Sequence, residues 1–218
     1  SDFSLVRLSP QRAQKVERND DVLANAGVHI GGTDFDRQLS LACVMPLLGY
    51  RSLLNNRREM PSSIFFNLAT WHSIIFAYTR QVLSEQKRLA IDAGEPEKSA
   101  RLLALIEQRA GHWLANEVEQ AKIELSAQES TQLRLDRLES GLLQAISRGD
   151  FNAATEALVD RVEATVDALL RDAGLAAAAI DTVFFTGGSS GIPQLRQRIT
   201  ALLPQARSVE GDLFSSIG

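Results

Sequence analysis

Apolar positions at the two ends of the chain come in short runs, while the long middle keeps a helical rhythm. Asp2 to Leu8 is a short apolar-rich run that predicts a strand, and Val22 to Ala26 predicts its returning hairpin partner. Ser9 to Asp21 between them is polar and turn-like. Phe35, Leu39, Leu41 and Ala42 predict a helix that faces these residues inward and closes near Pro46 or Gly49, with Thr33 and Asp36 as its capping box. Residues 49–63, with Asn55-Asn56-Arg57-Arg58-Glu59, read as an exposed loop. Ile64 to Ile91 is helical again and aromatic at first (Phe65, Phe66, Trp71, Phe76, Tyr78), a cluster expected to be core or inter-helix packing. Asp92-Ala93-Gly94 ends that stretch and Pro96 opens the next. From Glu97 to Ser126 one long helix is expected, with Ile106, Ala110, Trp113, Leu114, Val118, Ala121 and Leu125 as its apolar stripe. Thr131 to Ile146, interrupted at Ser140-Gly141, predicts a β-hairpin. Ser147-Arg148-Gly149-Asp150 is a second capping box, starting a helix through Ala154, Leu158, Val162, Val166 and Leu169 to Gly174.

Near the C-terminal end the pattern changes to strand, turn, helix. Val183-Phe184-Phe185 predicts a buried strand, Gly187-Gly188 a tight turn, and Pro193 the first turn of a helix carrying Leu195, Ile199, Leu202 and Leu203 inward. Pro204 stops that helix, Arg207 to Val209 predicts a strand, and Asp212 to Gly218 begins another helix. Together these elements predict an α/β lobe made from both ends of the chain, residues 1–30 and 148–218. A mainly helical segment with a β-hairpin, residues 31–147, is inserted between them.

Composition narrows the function classes. The 218 residues are 44% hydrophobic and 23% charged, with a net charge of -4. That balance lacks the basic excess of a nucleic-acid partner. No apolar run reaches the ~20 residues of a membrane span, no secretory leader opens the sequence, and a cytoplasmic location is the default expectation. Cys43 stands alone in an apolar helical stretch and reads as a small core residue. Cysteine and histidine are too few for a zinc site, and His29 reads as a hydrogen-bonded loop residue.

Three groups of residues carry candidate chemistry. Gly187 and Gly188 leave bare backbone between a strand and a helix, where α/β proteins hold nucleotides. The pair Gly31-Gly32 precedes a helix N-terminus, whose amides attract anions. Glu119, Lys122 and Ser126 stack on one helical face and offer an acceptor, a cation and a hydroxyl, a set suited to a sugar with an attached phosphate. Each has a plain structural alternative: a βα corner, a capped turn, and an exposed ion pair worth ~0.2–0.5 kcal/mol.

In this order, Gly31-Gly32-Thr33-Asp34-Phe35-Asp36, Glu119-x-x-Lys122-x-x-x-Ser126 and Gly187-Gly188-Ser189-x-x-Ile192-Pro193 resemble the nucleotide-binding domain of DnaK-type heat-shock chaperones. The resemblance covers nearly the whole chain. It is weakest from about 49 to 110, where the sequence carries its own helical insertion, and it is closest to the divergent YegD-like branch. It implies an α/β fold, a partial actin-like ATPase lobe with a mixed sheet and helices, of which this chain matches the second lobe only. It further implies ATP or ADP with Mg as ligand of the full-length protein, and no nucleotide necessarily held by this part alone. Gly187, Gly188 and Ser189 would lie against the adenosine, and Glu119, Lys122 and Ser126 would reach the ribose and adenine. Gly31 and Gly32 would approach the ribose–phosphate end, Asp212 would stand near the base pocket, and Asp2 near the metal ions. Implied partners are the first lobe of the same protein, client proteins and co-chaperones, with no nucleic acid and no membrane.

The family pattern is broken where two arginines usually hold the adenine: Ile123 and Gly191 stand at those positions. Stacking of one guanidinium contributes ~0.5–2 kcal/mol, so affinity and base selectivity depend on what replaces them. The first phosphate loop and the other lobe's acidic and lysine groups are not in the sequence. Phosphoryl transfer needs a metal-braced phosphate cradle, so this part alone is not expected to hydrolyse ATP. Two alternatives stay open: a fragment of an actin-fold sugar kinase or phosphotransferase, and an interaction module whose ATP site has decayed. The resemblance also places a central strand of the lobe's sheet before residue 1. Without that strand, sheet edges near Asp2 and Val183 would pair between molecules as a homo-oligomer, or residues 1–30 would be displaced.

Overall fold

A computed structural model describes residues 1–7 and 21–211. The expected turn at 9–20, the expected helix from Asp212 and the candidate residue Asp212 itself lie outside the described residues. Contacts divide the chain into two compact units, Ser1–Gly32 with Glu156–Gly218, and Thr33–Thr155. Helix and strand are mixed throughout, as the α/β reading expects.

In the unit 33–155, helix α1 (Gly32–Leu39) buries Phe35 and Leu39. It then passes through a π-helical turn, Ser40–Val44, and a 3₁₀ turn, Met45–Leu48, ending at Gly49 with φ +103°. A π turn holds one more residue than an α turn, so it rotates the following apolar face. The inward set therefore becomes Val44, Met45 and Leu48, while Ala42 is exposed and Leu41 only half-buried, which corrects the expected stripe. Because α1 opens at Gly32, Thr33 sits inside its first turn rather than at its cap.

The expected helix 64–91 is three pieces: α2 (Ser63–Leu68), a 3₁₀ segment Trp71–Tyr78, and α3 (Arg80–Ile91). Thr70 and Thr79 are extended between them, and the Thr79 hydroxyl caps α3 by accepting from the Val82 N–H at 3.2 Å. At three residues per turn, Ile74 and Ala77 point inward and Ile75 and Phe76 outward. The aromatic cluster is thus core only at Phe65. Phe66, Trp71 and Phe76 are exposed, and Tyr78 is half-buried.

The helix expected over 97–126 is likewise two: α4 (Pro96–Glu107), opened by its proline, and α5 (Gly111–Ala127). Arg109, in the left-handed region at φ +50°, breaks them apart. Gly111 is required at the new start. A Cβ there would lie 2.6 Å from Ile74 Cγ2 and 2.7 Å from the Tyr78 oxygen. Its N–H donates to that oxygen at 2.8 Å. The apolar stripe survives the break: Leu114, Val118, Ala121 and Leu125 are buried, and Trp113 is half-buried beneath Arg137.

Strands β3 (Ser130–Arg134) and β4 (Leu143–Ser147) pair antiparallel, Thr131 opposite Ile146, with Leu133 and Ile146 turned to the core. Helix α6 (Arg148–Asp172) begins with the capping box read from sequence. The Asp150 carboxylate accepts from Ser147 N–H at 2.9 Å and Oγ at 2.6 Å, while Ser147 Oγ accepts from Asp150 N–H at 3.0 Å. Cys43 is half-buried, and burial, with the Asp150 charge second, pushes its thiol up to about 11.

In the other unit, β1 (Asp2–Val6) and β2 (Val22–Gly27) form the hairpin expected, with Asp2 opposite Gly27 and a bulge between Leu5 and Val6. The later part of α6 buries Leu158, Val162, Val166 and Leu169 and ends before Gly174 at φ +64°. β5 (Thr182–Phe185), α7 (Pro193–Leu202) and β6 (Arg207–Glu210) make a strand–helix–strand crossover with the strands parallel. The Arg198 guanidinium of α7 binds Glu163 and Asp160 of α6. β5 is not buried throughout: Phe185 is inside but Phe184 is 59% exposed. Among the described residues β5 pairs only with β6, and β1 only with β2.

Candidate functional site

Helix α5 presents Ala115, Glu119, Lys122 and Ser126 along one side, because residues three and four apart stack. Glu119 is exposed, but Lys122 is drawn inward. Its ammonium stands 2.8 Å from Asp36 Oδ1 and 3.0 Å from Oδ2, with hydrogen-bond geometry met at Oδ2. Both side chains are largely covered, 13% and 18% exposed, so the pair ties α5 to α1 in a partly desolvated setting. Burial pushes the Asp36 carboxyl above the usual carboxylate range. Lys122 pulls it back down, and the nearby Glu119 charge adds to the rise. An ammonium has three donors, so Lys122 keeps hydrogen-bonding capacity beyond this pair. The Ser126 hydroxyl donates to the Ile123 carbonyl at 2.6 Å, and Ile123 is half exposed to solvent.

Beside this face lies a cavity of about 220 Å³. Thr33, Asp36 and Ser40 of α1 form one wall and Ala115, Val118 and Glu119 of α5 another. Leu68, Ala69 and Trp71 close it from the segment after α2. Trp71 is 48% exposed and meets the His112 ring edge to face, 4.8 Å between centroids. Sequence reasoning missed two of these roles. Asp36 was read as a helix cap, and Trp71 as core or inter-helix packing. The Asp36–Lys122 contact spans 86 positions, beyond any local periodicity.

In the unit that holds both chain ends, the expected glycine turn is present. Gly187 has φ +81°, a conformation natural to glycine, and Gly188–Gly191 forms a 3₁₀ turn leading to Pro193. The Ser190 hydroxyl and N–H both donate to the Gly187 carbonyl, at 2.6 and 3.1 Å, and hold the turn closed. A Cβ added at Gly187, Gly188 or Gly191 would meet nothing within 4 Å, so the outer side of this backbone is open. Ser189 is half-buried between them. A Cβ at Gly31 would likewise meet nothing within 4 Å, and Gly32 opens α1 as the glycine pair predicts. Asp2 folds over Gly27, its Oδ1 only 2.8 Å from where a Cβ would be. Among the described residues no three His, Cys, Asp or Glu side chains converge as metal ligands.

Comparison with known proteins bears on these same segments. The family model described as Hsp70 protein matches residues 96–212, which take in α5, β3, β4, α6 and the glycine turn after β5. Curated relatives include the chaperone protein DnaK of two strains of Halobacterium salinarum. Each is 37% identical over 98 residues, covering 42% of this chain and 16% of the relative. The aligned part is thus about one sixth of those relatives' length. With the family match extending over half of the sequence and running from the polar face of α5 to the glycine turn, the chain belongs to the Hsp70 protein family.

Proposed function

We propose that this chain is the second-lobe part of the nucleotide-binding domain of an Hsp70-type molecular chaperone, binding ATP or ADP with magnesium. The observation that carries the reading is the α5 face. Glu119 is exposed, Lys122 is fixed by Asp36, and both lie inside the segment the Hsp70 family model matches. Glu119, Lys122, Ile123 and Ser126 are the proposed nucleoside contacts of one unit. Gly31, Gly32, Gly187, Gly188, Ser189 and Gly191 are those of the other, where the open outer side of the backbone at Gly187, Gly188 and Gly191 suits close approach by a ligand. The finer parts of the proposal are the actin-like lobe, its helical insert with the hairpin, the YegD-like branch, and the cytoplasmic setting. Client proteins and co-chaperones are the proposed partners, and no helix among the described residues is long and apolar enough to cross a membrane. Family membership decides against the sugar-kinase alternative. A non-enzymatic interaction module remains the second reading, favoured by Ile123 and Gly191 in place of the two arginines.

Calorimetric titration of the natural protein with ATP and ADP in magnesium buffer tests the proposal. Glu119→Ala is the informative variant, because Glu119 is exposed and removing it leaves the packing intact. Loss of a charge-assisted hydrogen bond of ~1.5–3 kcal/mol should weaken binding at least tenfold with the melting temperature unchanged. An unaltered affinity removes the site assignment, and no nucleotide binding by the wild type leaves the interaction module.

A further inference from the structure

We infer that Trp71, which lies outside the residues the Hsp70 family model matches, is the aromatic wall against which the bound nucleoside packs. The inference rests on the nucleotide-binding reading and adds a residue to it. Glu119 is both a proposed ribose contact and part of the cavity lining, so a ligand held by Glu119 meets that cavity directly. The lining has the composition of a nucleoside pocket. Carboxylates at Asp36 and Glu119 and hydroxyls at Thr33 and Ser40 can hydrogen-bond sugar hydroxyls, and the apolar side is formed by Leu68, Val118 and the indole. Small-molecule sites combine a mainly apolar wall with a few convergent polar groups in this way. At about 220 Å³ the space suits a base or a sugar rather than a whole nucleotide, leaving the phosphates outside it.

The position of Trp71 is costly to leave unused. A tryptophan is a large apolar surface, and this one is 48% exposed although the neighbouring Ile74 and Ala77 are fully buried. His112 meets the ring at 82° between planes, which orients the indole without stacking on it. Ile123, the half-exposed apolar side chain among the proposed contacts on α5, offers no planar group. The indole of Trp71 offers a planar face beside that cavity, and base–aromatic stacking is tolerant of base identity.

The chain has only two tryptophans, Trp71 and Trp113, so the test can be read optically. ATP titrated into the natural protein should change its intrinsic fluorescence. The change should persist in Trp113→Phe and disappear in Trp71→Phe, while calorimetry shows Trp71→Phe still binding within a few-fold of wild type. Trp71→Ala should bind about tenfold more weakly, a typical loss for one stacked base. If the wild type and Trp71→Ala bind ATP equally, Trp71 has no such role and the nucleotide reading stands. If the wild type binds no ATP, both fail. A fluorescence change that survives in Trp71→Phe also overturns the inference. Circular dichroism at matched temperatures separates a folding defect in Trp71→Ala from a binding one, and Trp71→Phe carries the test if Trp71→Ala does not fold.

Discussion

Replacing Lys122 with alanine isolates the Asp36–Lys122 pair. An exposed ion pair contributes at most ~1 kcal/mol, whereas removing one partner of a buried pair costs ~3–5 kcal/mol, because a charge is left buried and uncompensated. With side-chain exposures of 13% and 18% the pair lies between these limits, and a loss of about 2 kcal/mol is expected. For a chain of this size that lowers the melting temperature by about 4–8 °C. The pH dependence is the sharper signature. Asp36 has its carboxyl raised by burial, so the folded state takes up this proton at higher pH than the unfolded chain. Such a group costs stability above its folded pKa, and that cost disappears as the pH falls toward the unfolded value. Lys122 supplies the opposing downward pull. Removing it raises the carboxyl further and enlarges the cost at pH 7. The deficit of Lys122→Ala should therefore be greatest near pH 7 and shrink as the pH approaches about 4. In an Asp36→Asn background the same substitution should cost little, a double-mutant cycle that reports the coupling alone. Denaturant melts at both pH values provide the measurement. A deficit below about 0.5 kcal/mol at pH 7, or one of constant size down to pH 4, would refute the reasoning.

Other substitutions probe the frame around the site. Ser147→Ala removes the hydroxyl half of the reciprocal cap of α6 and should cost about 1 kcal/mol by thermal melt. The Asp150 carboxyl is held below its usual range by the Ser147 side chain and N–H. The stability from that contact should thus be present above the ordinary carboxylate range and fade as acid protonates Asp150, with a smaller fading in Ser147→Ala, which keeps only the backbone N–H donor. Gly111→Ala places a Cβ against Ile74 and the Tyr78 oxygen and should destabilise by about 1–3 kcal/mol. An unchanged melting temperature would mean that the two helices can separate without loss. Among the described residues one edge each of β1 and β5 pairs with no strand, and such edges, with Phe184 exposed on the latter, template strand pairing. The 218-residue chain should therefore self-associate with concentration in light scattering. A strict monomer whose amides in 2–6 and 182–185 exchange as slowly as those of α5 would contradict this.

Local chemistry made much of the architecture readable in advance. Ser147 and Asp150 are three residues apart, and their capping contacts involve only nearby backbone, so the start of α6 follows from the sequence. The same holds for Pro96 and Pro193 at helix starts, Gly174 and Gly187 at positive φ, and the alternation that turns Leu133 and Ile146 inward. What the sequence misjudged are phase and partnership. A π turn at Ser40–Val44, the extended Thr70 and Thr79, and the left-handed Arg109 each rotate or divide a helix that periodicity reads as continuous. The start of α5 depends on residues far along the chain, since Gly111 lets it seat against Ile74 and Tyr78. Asp36 looked like a cap because its nearest neighbours are a helix start, and only the folded chain brings Lys122 to it. Trp71 read as core or inter-helix packing because apolar bulk predicts burial on average, and the structure instead leaves it 48% exposed at the rim of the cavity. Hydrogen bonds within a turn of helix are decided by composition and spacing. Contacts between α1, α5 and the segment after α2 depend on the rotational phase of three separate elements, which no local pattern encodes.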